Sequence, residues 1–325
     1  MPKSRVTIVG LGLIGGSIGL ALKQAKLEIE IVGHDKDSGV AGRAVKRGAV
    51  DKTEWNLYNA CNGAGMIILA LPLAAIKDTL TALKEYAQPG VIITDTAMTK
   101  MPTLEWARDL PAGVQFVGGN PVLKTQRPIN GRGIDAADPA LFQGATYCVV
   151  AAPSATAQAI DTVANLAGAL GAKAYFLDAA EHDGLMAGIQ HFPAFIATAL
   201  ASAVVTSQGW RDLGKLAGGK FRALTELVPN DKQDARETFL THQADLNRWI
   251  DLTIAKLEEL RALAARGDAA ALETVVEQID IERNRWLSGK FDETDAPQTD
   301  WSEVRTSTAR MFLGGLADRK PPAKR

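Results

Sequence analysis

The sequence predicts an α/β chain: a Rossmann-type, doubly wound parallel sheet followed by a second, all-helical dimerisation domain. Three observations carry that expectation. Up to about residue 150, short Val- and Ile-rich runs alternate with helical stretches. The first run is followed at once by a glycine-rich turn that opens a helix. Beyond Pro153 the pattern changes to long apolar helices. Strand–helix–strand repetition calls for parallel strands with right-handed crossovers.

The elements follow in order. Residues 6–9 (VTIV) make the first strand, and 16–24 the helix after the glycine turn. Residues 28–32 form the next strand, and 66–70 (MIILA) another, followed by a helix over 74–86. A strand at 91–94 leads to a helix at 103–109. Residues 116–117 and 146–150 (TYCVV) complete the strands. Runs without polar alternation fit strands buried on both faces. The sheet domain is expected to span 1–152 and the helical domain 153–325. The helices lie at 154–168, 180–207, 231–265 and 268–287, with a loop at 292–297 and a short helix at 301–313. A helix apolar nearly all round must be buried in its own bundle or against a second subunit. A homodimer through the helical domain is the expectation; a self-contained bundle is the alternative.

With 325 residues and a net charge of −1, the chain has no electrostatic footprint for a nucleic acid. The basic stretch at 319–325 is expected to be a flexible tail. Two cysteines, Cys61 and Cys148, imply no disulfide framework, and no metal site is expected from the cysteine or histidine spacing. The sequence shows no signal peptide and no charge-free run of eighteen apolar residues. A cytoplasmic protein without a membrane partner is the default expectation.

Gly10, Gly12 and Gly15 form G-x-G-x-x-G between strand and helix, the context that a dinucleotide site requires. Gly10 permits the tight turn, Gly12 lets the backbone approach a pyrophosphate, and Gly15 lets helix and strand pack closely. Leu13 and Ile14 open the helix whose N–H groups face the phosphates, and Ser17 can add a hydroxyl. Asp35 lies twenty residues after Gly15, where a carboxylate accepts the ribose hydroxyls. That favours NAD, while His34 and Lys36 beside it leave NADP open. Leu71, Pro72 and Thr96 follow strand ends, where open α/β sheets bind ligand.

The segments GLGLIGGSIGLALK, ILALP, the strand end at Asp95, GGNP and EHDGLMAGIQHFPAF together resemble the prephenate/arogenate dehydrogenase family of tyrosine biosynthesis. The resemblance runs from about residue 5 to about residue 250. It implies NAD(P)-dependent oxidation of a ring carbinol with loss of the ring carboxylate as CO₂, on a small carboxylate substrate. The family holds the carbinol hydroxyl with a base, the His of Gly-Gly-His-Pro. The matching residue here is Asn120, which can hydrogen-bond the hydroxyl but cannot take its proton. The family's Asp-x-Gly-Ser-x-Lys reads DTAMTK, so Met98 replaces a hydroxyl, with Thr99 adjacent. Where the family tends to read Ala-Gly-Thr-Glu, this chain has LKTQ; Lys124 enters the cleft and Thr125 keeps a substrate contact.

His191 matches the first His of the family's Ser-His-Leu-Pro-His and is a candidate substrate ligand and base; a core histidine is the alternative. Arg222 matches the Arg of Gly-Phe-Arg-Asp, whose planar fork clamps a substrate carboxylate; a surface ion pair is the alternative. Lys100 either lines the cofactor side or is exposed, and His182 is a structural hydrogen-bonding residue. Three functions stay open: a prephenate- or arogenate-type dehydrogenase whose proton passes to water, His191 or Lys124; a dehydrogenase of another carboxylate using Lys124 or Lys100; and a catalytically silent dinucleotide-binding relative.

Overall fold

The computed structural model describes residues 4–123, 133–229, 236, 239–240 and 243–289. It divides into two compact units, with the break between Met186 and Ala187.

The first unit is built on one eight-stranded sheet. Its elements are β1 (Ser4–Val9), α1 (Leu13–Gln24), β2 (Ile29–His34), α2 (Ser38–Lys46), β3 (Lys52–Thr53), α3 (Leu57–Cys61), β4 (Met66–Leu69), α4 (Leu73–Leu83), β5 (Ile92–Asp95), α5 (Met101–Ala107), β6 (Gln115–Val122), β7 (Thr146–Ala151), α6 (Ala157–Ala169), β8 (Lys173–Phe176) and α7 (Ala179–Met186). The strand order is β3-β2-β1-β4-β5-β6-β7-β8. Successive residues of β4 show why these runs read as strands. Met66 and Ile68 enter one core cluster, and Ile67 and Leu69 enter the other. With side chains alternating across a sheet covered on both faces, every position of the strand must be apolar. Side-chain caps start several helices: Asp37 accepts from the amides of Gly39 and Val40, and Asn56 from Asn59.

The sheet is parallel as expected except at one pairing: β7 runs antiparallel to β6, while β8 is parallel to β7. The expected change of domain at 152/153 falls inside this unit. The helix expected at 154–168 is α6, and it crosses from β7 to β8. Strand β8 is short and largely exposed, so it carries no apolar run that could announce it.

The run expected at 180–207 is α7, a π-helical turn (Ala187–His191) and α8 (Phe192–Val205). Ala179–Val205 is the one stretch among the described residues long and apolar enough to cross a membrane. Its first turns, however, carry Glu181, His182 and Asp183, and the last two are buried in the sheet unit. The second unit continues with α9 (Trp210–Leu216), α10 (Gly219–Thr225), α11 (Gln243–Arg266) and α12 (Ala269–Leu287). Leu252, Ile254, Leu257 and Leu260 on α11 and Val276, Ile279, Ile281 and Trp286 on α12 are exposed. The loop at 292–297, the helix at 301–313 and the basic tail lie outside the described residues.

Candidate functional site

The glycine turn joins β1 to α1 at the carboxyl edge of the sheet. Gly10 has φ +91°, the left-handed region, and its amide donates to the His34 carbonyl at 2.8 Å. A Cβ at Gly10 would strike the Ala70 carbonyl, and one at Gly15 would strike the Gly10 carbonyl. Gly12 differs: among the described residues a Cβ there would meet nothing within 4 Å. Gly12 is also the N-cap of α1, with no side-chain capping bond. The protein leaves room at that point, and the amide end of the helix faces it, which is what a pyrophosphate requires. Leu13 and Ile14 form the first turn.

Asp35 follows β2 and does more than its position suggested. One of its oxygens accepts from the Leu11 amide at 2.8 Å, and the other from the Asp37 amide at 2.9 Å. The carboxylate thereby ties the glycine turn to the end of β2. Each oxygen retains a lone pair, so ribose hydroxyls can still be accepted. Leu71 and Pro72 follow β4, with Pro72 as the N-cap of α4; the Thr96 amide donates to the Leu69 carbonyl at 3.1 Å. They occupy the carboxyl ends of β4 and β5, beside β1, where the strand order reverses direction. The room at Gly12, the open helix terminus and Asp35 together fit a dinucleotide. Ser17 does not join them: its fully buried hydroxyl accepts from the Asp138 amide at 2.9 Å, holding the loop before β7. His34 is the last residue of β2, and its Nδ1 pairs with the Glu54 carbonyl at 2.9 Å.

Beside this edge lies a buried ion pair. Lys100 is 0% exposed, which rules out both the cofactor-lining and the exposed expectation. Its ammonium donates to the two Asp95 oxygens at 2.6 and 2.7 Å and to the Gly119 carbonyl at 2.7 Å. The Gly119 amide returns a bond to Asp95 at 3.0 Å. An ammonium has three N–H donors, and all three are used. Burial pulls the Lys100 pKa below its ordinary value, while Asp95 opposes that shift. The pair also explains Gly118, and Tyr147 explains Gly119. A Cβ at Gly118 would come within 2.8 Å of the Lys100 chain, and one at Gly119 would strike the Tyr147 ring and hydroxyl.

Asn120 lies within β6, paired with Cys148 of β7, and is 2% exposed. Its Nδ2 lies 3.0 Å from Nε2 of His182 on α7. Nδ1 of His182 lies 2.8 Å from Oδ1 of Asp183. Asp183 in turn accepts from the backbone amides of Lys100 at 2.6 Å and Met101 at 2.8 Å. The line therefore runs from Asn120 through an imidazole and a carboxylate to the start of α5. His182 is the structural hydrogen-bonding residue expected, and Asn120 as its partner is what sequence reasoning missed. Met98 and Thr99 point apart: Met98 is 45% exposed and Thr99 4%. Thr99 Oγ1 is buried without a hydrogen-bond partner among the described residues.

In the second unit, His191 ends the π-helical turn and is buried. The turn packs on Trp249, where a Cβ at Gly188 would come within 2.6 Å of the indole. Arg222 lies on α10 with its side chain 83% exposed, and its Nε lies 3.3 Å from Glu226. This is the surface ion pair weighed as the alternative, and an exposed guanidinium remains open to a carboxylate. Lys124 and Thr125 lie outside the described residues. Among the described residues no cluster of His, Cys, Asp or Glu could hold a metal ion.

Comparison with known proteins agrees with this geometry. The family described as prephenate dehydrogenase, nucleotide-binding domain, matches residues 18–176, and prephenate dehydrogenase, dimerization domain, matches 178–278. The prephenate dehydrogenase of Bacillus subtilis is 31% identical over 278 residues, covering 83% of this chain and 72% of that protein. The Synechocystis arogenate dehydrogenase structure superposes with a TM-score of 0.74 at 26% identity, covering 87% of this chain and 99% of that one. A prephenate dehydrogenase from A. aeolicus, in complex with hydroxyphenyl propionate and NAD+, shares the fold with a TM-score of 0.79 at 21% identity, covering 88% and 99%.

Proposed function

Because the chain belongs to the prephenate dehydrogenase family, we propose that it oxidises the ring carbinol of prephenate, or of arogenate, with loss of the ring carboxylate as CO₂. The observation that carries this reading is the open cradle at Gly12 in the same sheet unit as Asn120, which takes the place of the family's base. A bound nicotinamide supplies the hydride acceptor. Leu13, Ile14 and the helix terminus would hold the phosphates, Asp35 would hold the adenosine ribose, and Leu71, Pro72 and Thr96 would border the nicotinamide end. NAD is favoured over NADP, because the Asp35 carboxylate would repel a 2′-phosphate.

Asn120 holds the hydroxyl of the substrate. Aromatisation turns the carbinol into a phenol, so that oxygen ends the reaction with a proton as it began. The residue at 120 must orient the hydroxyl; it need not keep its proton. His191 and Arg222 engage the substrate, Arg222 through a carboxylate. Lys100 is not a proton-transfer group, since all three of its donors are committed. The exposed apolar side chains of α11 and α12 support a homodimer through the helical unit, and we place the protein in the cytoplasm.

An anaerobic assay of prephenate and of arogenate, each with NAD and with NADP, tests this. Reduction of NAD by one of the two substrates is expected. Tight dinucleotide binding with no turnover of either substrate would replace this reading with a silent relative.

A further inference from the structure

We propose that His182 and Asp183 are positioning residues that fix the side-chain amide of Asn120, turning its carbonyl oxygen away from His182 as the acceptor for the substrate hydroxyl. The inference rests on the reading of Asn120 given above.

The argument is one of donors and acceptors. An amide presents two chemically opposite ends of nearly the same size, so packing alone does not choose between its two orientations. Something at position 120 must choose. Asp183 carries acceptors only, so the His182 nitrogen 2.8 Å from it must carry the proton. Two backbone amides, from Lys100 and Met101, already satisfy the Asp183 charge, so it does not call for a cationic imidazole. A neutral imidazole protonated on Nδ1 has a bare Nε2. That nitrogen accepts, and the Asn120 group 3.0 Å away must be the N–H₂ end. The carbonyl end is then presented on the opposite side. His182, Asp183 and Asn120 are all buried, so bulk water cannot supply the missing partners and the choice is enforced. With a proton-accepting side chain at 120 the orientation of this line would matter less, because an imidazole has a nitrogen at either end. With an amide it determines whether the substrate hydroxyl meets an acceptor or a donor.

Two measurements on the whole protein test the proposal. Nitrogen-15 NMR of the histidine side chains reports which ring nitrogen of His182 is protonated, and His182→Gln identifies the resonance among the four histidines of the chain. The Nδ1–H form near neutral pH is expected; a proton on Nε2 would overturn the proposal. Kinetics then compare two variants. His182→Gln offers a carbonyl to Asn120 and an N–H to Asp183, so it should retain most of the turnover. His182→Leu offers neither and should lower kcat about ten- to a hundredfold with the dinucleotide Kd unchanged. A His182→Gln protein as slow as His182→Leu would mean that His182 handles a proton itself, and would also overturn the proposal. If the wild type oxidises neither substrate, the proposed function fails, yet the nitrogen measurement still decides how Asn120 is oriented.

Discussion

Asn120 and His182, 62 positions apart in the chain, are joined side chain to side chain at 3.0 Å inside the sheet unit. The contact links the end of β6 to α7, and through Asp183 to the start of α5. It makes the departure at position 120 a change within a network, since the partner that would face a histidine there is still present.

Asn120→His should therefore be accommodated and should raise turnover. Nε2 of His182 is available as an acceptor, so the introduced imidazole can donate one N–H to it and keep its other nitrogen bare toward the substrate. A base in that position contributes up to about 10²–10⁴-fold. The gain should appear in kcat, together with an acidic limb near the ordinary imidazole pKa of about 6.5 that the wild type lacks. Steady-state kinetics against pH check it. An unchanged kcat with intact dinucleotide binding would show that proton removal does not limit this enzyme.

Gly12 and Gly15 should respond in opposite ways to the same small change. In Gly15→Ala the new methyl collides with the Gly10 carbonyl, so α1 must move off β1 and the melting temperature should fall. In Gly12→Ala the methyl meets no neighbouring element within 4 Å among the described residues, so stability should stay within about 0.5 kcal/mol. The methyl then stands where the pyrophosphate backbone must approach, and NADH binding should weaken at least tenfold. Thermal melts and NADH fluorescence titration separate the two. Wild-type dinucleotide affinity in Gly12→Ala would move the cradle elsewhere.

The part of this site that can be read along the chain is the part made by neighbours in sequence. Gly10, Gly12 and Gly15 announce themselves because a turn between strand and helix is local, and β4 because a strand covered on both faces must be apolar throughout. Other features depend on contacts that spacing does not encode. Lys100 carries the residue type least often buried, and only the fold brings Asp95 and the Gly119 carbonyl around its ammonium. Asp35 was legible as a candidate ribose ligand but not as the anchor of the Leu11 amide. Met98 replaces a hydroxyl in the motif, yet alternation of side chains turns Thr99 inward in its stead. That α6 and β8 belong to the sheet unit was not legible, because β8, an exposed edge strand, lacks the apolar signal that marks its companions.

The Lys100–Asp95 pair should be worth little against an apolar replacement and much against a half replacement. Lys100→Met leaves Asp95 buried with only the Gly119 amide for company, and should cost about 3–5 kcal/mol. Adding Asp95→Asn removes the stranded charge and should recover part of that loss. Urea unfolding of the single and double variants measures it. A Lys100→Met protein within about 1 kcal/mol of wild type would mean that water reaches this pair.

The two cysteines should be silent until the protein unfolds. Burial pushes the Cys61 thiol up to about 12 and the Cys148 thiol up to about 11. In the unfolded chain both ionise from about pH 8.5. A group whose folded pKa lies above its unfolded one contributes stability that is complete below the unfolded value. That contribution is lost as pH rises toward the folded value. The native chain should therefore lose stability steadily above about pH 8.5, and the Cys61→Ser Cys148→Ser double variant should lose less of it. Native protein at pH 8 should release no thionitrobenzoate from a disulfide reagent within minutes, and both thiols should react once urea is added, because the thiolate is the reacting species. Rapid labelling of Cys61 in the folded protein would show that α3 opens far more readily than its buried face implies.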